Sequence, residues 1–200
     1  MQVFRGFEDV KSLTRPVVAI GSFDGVHLGH QRILRYLCDT AAHHQGQSVV
    51  VTFDPHPQQL LHPDSDFFLI NDLDRNLELI AGQGVDTVVV IPFTREFSQI
   101  SYVDFIERYL IGALHANTLV MGPNHALGHN REGDRRKIED VCEQHGVNVV
   151  DIPEFLINNA EVHSSTIRKL IQNHQFNQVE ELLGYAYENK SESKVLNPVP

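Results

Sequence analysis

Apolar residues fall into short unbroken runs, separated by stretches where they recur every three or four positions. Residues 16–23 hold Val17, Val18, Ala19 and Ile20 before Gly21 and read as a buried strand. Similar runs predict strands at 48–53, 87–92, 118–122 and 148–152. Pro55 and Pro57 close the second of these. Between the runs the spacing becomes helical. Ile33, Leu34, Leu37, Cys38 and Ala41 predict a helix over 31–44, and Leu73, Leu77 and Ile80 one over 72–82. Amphipathic helices are expected over 102–114 and 135–145, with Asp134 as the second one's N-cap. Ser164 or Ser165 is expected to cap a helix reaching about His174. A last helix over 176–183 stops at Gly184.

Strands and helices thus alternate from end to end, and the strands are mostly continuous apolar runs. The pattern predicts an α/β fold, with a Rossmann-like parallel sheet of about five strands and helices on both faces. In such sheets ligands sit at the carboxyl ends of the strands. One domain is expected over 1–187, followed by a polar tail or linker stump over 188–200.

Composition narrows the function classes. The chain has 200 residues and a formal net charge of -10, from 16 Lys and Arg against 26 Asp and Glu. That balance speaks against nucleic-acid binding. No apolar run has the length of a membrane span, and the first residues lack a signal-peptide core, so no membrane partner and a cytoplasmic location are expected. Cys38 and Cys142 form no CxxC pair, which leaves out disulfide scaffolds and structural zinc modules. Twelve histidines are dispersed, so separate local roles are favoured, with a metal store as the distant alternative.

The first strand runs into Gly21-Ser22-Phe23-Asp24-Gly25-Val26-His27-Leu28-Gly29-His30. This is neither GxGxxG nor GxxxxGK[ST]. Two histidines instead flank a glycine at the start of a helix, where free N–H groups and the positive end of the dipole suit a phosphate. Gly29 allows the backbone to approach closely. His27 and His30 can donate to phosphate oxygens whose charge grows during transfer. The competing reading makes one histidine a turn cap and leaves the other exposed.

In this segment the chain resembles the bacterial FAD synthetases, in their FMN adenylyltransferase module of the HxGH nucleotidylyltransferase superfamily. GSFDGVHLGHQ is similar to the family's first motif, and Thr52-Phe53-Asp54-Pro55-His56-Pro57 to its TFDPHP. Residues 92–106 resemble its PF…F…L…FI segment, residues 121–134 its G-x-[DN]-F-x-F-G…G-D loop, and Ser164-Ser165-Thr166-Ile167-Arg168 its SSTxxR. The resemblance implies adenylyl transfer from ATP to FMN, giving FAD and pyrophosphate. It implies catalytic roles for His27, His30 and Arg168. ATP contacts would come from Gly21, Phe23, Asp24, Gly29, Ser164 and Ser165, with Arg168 and the two serines gripping the β and γ phosphates. Flavin contacts would come from Phe53, Asp54, His56, Pro57 and Asn124. Mg²⁺ would enter with ATP, and Asn124 could hold it through water. ATP and FMN are the expected small-molecule partners.

The chain also departs from the family pattern. His125 and Leu127 replace two loop aromatics, so the segment from 125 to 130 lacks the rings that would dock it and is expected to be mobile without ligand. His163 replaces a serine, and Asn76 stands where the family usually bears a lysine. Arg131 reads equally as a phosphate contact or a solvated side chain. Two other readings stay open: a nucleotidylyltransferase acting on another phosphorylated metabolite, and a degenerate flavin- or nucleotide-binding protein without turnover. Leu183-Gly184-Tyr185-Ala186-Tyr187 resembles the family's junction to a riboflavin kinase module. Residues 188–200 are too few to build that module, so riboflavin phosphorylation is not expected.

Overall fold

The computed structural model describes residues 1–122, 126–152 and 162–188. Its strands are β1 (Gln2–Arg5), β2 (Val17–Ile20), β3 (Ser48–Asp54), β4 (Thr87–Pro92), β5 (Thr118–Met121) and β6 (Asn148–Asp151). They form one six-stranded sheet in the order β1-β4-β3-β2-β5-β6, and every neighbouring pair is parallel. The helices are α1 (Leu28–His43), α2 (Pro57–Leu61), α3 (Leu73–Ala81), α4 (Tyr102–Asp104, running on as a π-helix over Phe105–Ala113), α5 (Arg135–Gln144), α6 (Ser164–Gln172) and α7 (Phe176–Leu183).

The expected α/β sheet is present, with one strand more than the pattern indicated. β1 is mostly exposed and pairs only with β4 at the sheet edge, so its four residues carry no apolar run. Strands β2 to β5 look continuously apolar because both faces are covered. Val18, Ile20, Val49, Val51, Val89 and Ile91 face the π-helix and α5, where Phe105, Ile106, Leu110 and Ile138 are buried. Val17, Ala19, Val50, Val88 and Val90 face α1 and α3, packing on Leu34, Leu37 and Ile80. A third cluster of Ile70, Val162, Ile167, Val179 and Leu183 fastens α6 and α7 to the body.

From β2 the chain winds outward through β3 and β4, and from β5 it winds the other way to β6. The sheet therefore reverses direction between β2 and β5, the point where open α/β sheets leave a crevice. Among the described residues, no helix is long and apolar enough to cross a membrane.

Several boundaries move. α1 begins at Leu28 rather than residue 31, because His27 itself occupies the N-cap. Pro57 ends the turn after β3 but also opens α2, since proline fits the first helical position. The cap of α6 is His163, whose side chain makes no capping bond. Ser164 is already helical, and its hydroxyl donates to the Asp24 carbonyl at 3.1 Å, which takes it away from capping. Asp134 caps α5 and Gly184 ends α7 in the left-handed conformation, as expected.

Candidate active site

A cavity of about 830 Å³ opens at the carboxyl ends of β2 and β5, within the usual size range for a ligand pocket. Its walls include Arg32 and Arg131. No Asp or Glu among the described residues lines it, so the site reverses the sign of the acidic chain.

The first turn of α1 forms one end. His27 Nδ1 accepts a hydrogen bond from the His30 backbone N–H at 3.2 Å. A neutral His27 must then carry its proton on Nε2. The two imidazoles stack with centroids 3.7 Å apart and planes 17° from parallel. Burial pushes the His27 pKa down to about 3, with His163 and Arg168 adding to the effect. Burial, then His27 and Arg168, hold His30 well below its ordinary value. Both rings are thus uncharged near neutral pH. His30 Nδ1 is buried with no hydrogen-bond partner, while the His30 ring lines the cavity. Gly29 sits in tight space: a Cβ there would lie 3.1 Å from the His27 ring and 3.2 Å from the Val162 carbonyl. The N-cap of α6, His163, and its first residue, Ser164, line the same cavity. Two helix N-termini therefore converge on it, each with partial positive charge.

The turn leading into α1 is held from several remote segments. Phe23 and Val26 have φ values of 47° and 34°, which side-chain-bearing residues rarely adopt. Asp24, 1% exposed, accepts from the Ile70 and Asn71 backbone N–H groups and from Arg168 Nη2 at 2.6 Å. Arg168 also donates to the Phe68 carbonyl at 2.8 Å and lies over the Phe67 ring at 4.3 Å.

The other end is aromatic. Phe53, Phe93, Phe97 and Phe105 line the cavity. Phe53 and Phe93 meet edge-on at 5.5 Å, Phe93 and Phe97 at 5.8 Å, and Phe97 and Phe105 at 6.0 Å. His56 caps α2 by accepting from the Gln58 N–H at 3.1 Å, and its ring lies 4.6 Å from that of Phe67. Burial lowers its pKa to about 4, opposed by Asp24 and aided by Arg168. Pro57 completes this wall.

The structure brings Gly21, Phe23, His27, Gly29, His30, Phe53, His56, Pro57 and Ser164 to the cavity. It does not bring four others. Asp24 and Arg168 spend their charges on each other beneath the turn, so the expectation that Arg168 faces the phosphates is revised. Ser165 is exposed beyond the wall because α6 starts two residues earlier than a Ser165 cap would require, and Asp54 is exposed where β3 ends. Asn124 and His125 lie outside the described residues. The segment after them is docked without the family's aromatics. Leu127 is buried in the core and bridges Gly133, and His129 donates through Nδ1 to the Ser98 carbonyl at 3.1 Å. Tyr102 packs so closely that a Cβ on Gly133 would lie 2.5 Å from it. Arg32, unremarked in the sequence, lies two residues past His30 on α1. Its signal was a cation next to the HxGH turn.

A switch-point cavity with a histidine pair at a helix N-terminus defines an α/β domain of the nucleotidylyltransferase type. The chain belongs to the FAD synthetase family, whose model matches residues 9–166. It is 28% identical over 188 residues to the bifunctional riboflavin kinase/FMN adenylyltransferase of Buchnera aphidicola (subsp. Acyrthosiphon pisum), covering 94% of this chain and 60% of that one. Identity to the Listeria monocytogenes protein of the same name is 33% over 176 residues, covering 87% and 55%. The chain thus spans a little over half the length of these curated relatives. Among solved structures, a macrolide-efflux protein from Streptococcus pneumoniae is similar in fold, with a TM-score of 0.80 at 24% identity, covering 92% of this chain and 70% of that one.

Proposed function

We propose that this domain transfers the adenylyl group of ATP to FMN, forming FAD and pyrophosphate. One observation carries the reading: a single cavity has two helix N-termini and a neutral histidine pair at one end and a wall of four phenylalanines at the other. The first end suits a polyphosphate and the second a flat apolar ring system. The relatives are named for FMN adenylyltransferase activity, which joins these two ligand types.

In this reading an FMN phosphate oxygen attacks the α-phosphorus of ATP. A new P–O–P bond forms, the α–β bridge breaks, and its electron pair leaves with pyrophosphate. No protein nucleophile is needed, so the chain acts by holding two anions in line and by stabilising added charge. His27 offers its Nε2–H, and His30, which lines the same cavity, adds a second neutral ring donor. Neutral donors fit this role because they need no deprotonation and bring no charge repulsion against Arg32 or Arg131. Ser164 lies at the second helix N-terminus beside the β and γ phosphates. Arg168 acts from beneath by fixing Asp24 rather than by touching ATP. ATP enters as its magnesium complex, with phosphates and water as the main ligands of the ion. Phe53, His56 and Pro57 form the flavin side. The location consistent with this metabolic role is the cytoplasm.

The test is to incubate the protein with FMN, ATP and Mg²⁺ and separate the products by chromatography. FAD and pyrophosphate are expected in equal amounts. Bound but unchanged FMN would point to a binding protein, and turnover only with another phosphorylated acceptor would change the substrate.

A further inference from the structure

We infer that Tyr185, just beyond α7 and outside the cavity wall, is a positioning residue for the phosphate-binding turn, acting through a ring of hydrogen bonds around Gly25. The inference rests on the reading that this turn receives the ATP phosphates.

The ring closes with every donor and acceptor in its required role. Gly25 N–H donates to Asn76 Oδ1 at 3.1 Å. That oxygen also accepts from Asn71 Nδ2 at 3.4 Å. The same amide nitrogen donates to the Tyr185 hydroxyl at 2.7 Å, and the hydroxyl donates to the Gly25 carbonyl at 2.5 Å. A phenol has one proton to give, and here it goes to Gly25 while its oxygen accepts from Asn71. Asn71 and Asn76 are buried, so neither has water as a ready substitute.

Gly25 is where the turn would most readily relax. Its φ is +80°, and the next residue, Val26, holds a φ of 34° although it is β-branched. Such a conformation persists only where the surroundings over-determine it. The ring fixes both peptide groups of Gly25 immediately before Val26 and His27. A second attachment comes from the same end of α7. Gln31 Nε2 donates to the Leu183 carbonyl at 2.8 Å and to the Val26 carbonyl at 3.0 Å. Gly184 packs so tightly on Leu28 that a Cβ would lie 2.6 Å from it. Residues 183–185 therefore hold the first turn of α1 from outside, and Asn76 is the amide that completes the ring.

Tyr185→Phe removes one hydroxyl and leaves the packing of the ring intact. Three quantities test it: the thermal midpoint, kcat/KM with ATP and FMN varied separately, and the affinity for a non-hydrolysable ATP analogue with Mg²⁺. We expect kcat/KM for ATP and the analogue affinity to fall about tenfold, the scale of one hydrogen bond whose buried partners go unsatisfied. FMN affinity should stay unchanged. Asn71→Ala should show the same split, and the double variant should lose no more than the worse single one. Should Asn71→Ala not fold, Tyr185→Phe carries the test alone. Wild-type ATP dependence in Tyr185→Phe, or equal losses for both substrates, overturns the inference. If the wild-type protein makes no FAD, the adenylyl-transfer reading fails separately, and the analogue still decides. Weaker binding by Tyr185→Phe supports positioning, and unchanged binding, or no binding by the wild type, overturns it.

Discussion

The two ends of the cavity are built by different physics. The turn from Phe23 to His30 is fixed by directional bonds arriving from α3, α6 and the end of α7, and it holds two residues at unfavourable φ values. The wall of Phe53, Phe93, Phe97 and Phe105 is fixed by ring packing against the core, with no polar group of its own. A bonded turn is specific and brittle, because deleting one atom leaves a buried partner unsatisfied. A packed wall is tolerant, because a ring can be replaced by another apolar group at modest cost. The arrangement suits the proposed chemistry, in which phosphates must be aligned for in-line attack while a flavin ring needs only a fitting slot.

Perturbing the two ends separately should expose that contrast. The largest effect is expected from Arg168→Met, which strands the Asp24 carboxylate in the interior. Breaking a buried pair from one side typically costs about 3–5 kcal/mol, read here by denaturant unfolding. Asp24→Asn combined with Arg168→Met should recover part of that loss. An exposed, dispensable ion pair would instead show a change below about 1 kcal/mol.

His30→Ala should lower turnover by roughly 10²-fold with little loss of stability, as for the removal of one preorganised donor. Wild-type rates in that variant would remove His30 from the charge-stabilising role.

A pH effect of smaller size follows from the buried rings. His27 has its folded pKa lowered to about 3 against an ordinary 6.5, and that of His30 is also lowered. Between those pH values the unfolded chain binds more protons at these sites, so their contribution makes stability rise with pH across the window and flatten above about 6.5. Thermal midpoints from pH 4 to 8 should show this slope, and His27→Gln should reduce it. The same slope in both proteins would contradict the assignment.

On the aromatic side, Phe97→Leu should weaken FMN binding by no more than about tenfold, the scale of lost ring–ring contacts, and leave ATP affinity alone. Fluorescence titration of FMN checks it. A loss as large as that of His30→Ala would erase the contrast between the two ends.

Much of this was legible in the sequence, and the gaps have common causes. Strands β2 to β5 were readable because both faces are apolar, β6 from its Val149-Val150 pair, and the HxGH turn because its chemistry is contiguous. β1 was invisible because a short, mostly exposed edge strand needs no apolar run. The partner of Arg168 lies 144 residues away, and Tyr185 reaches Gly25 across 160 residues. Such pairings come from the fold, not from spacing. The same limit misplaced the α6 cap: serine is the better capping residue in isolation, but Ser164 is drawn to Asp24 by the tertiary structure.

The central claim is that the α-phosphorus of ATP, and not the γ, is transferred to the flavin. Parallel reactions with FMN, Mg²⁺ and ATP labelled at either the α or the γ phosphate test it directly. The account predicts α label in FAD and γ label in pyrophosphate. Label from the γ position on a flavin, or its release as inorganic phosphate without FAD, would contradict it.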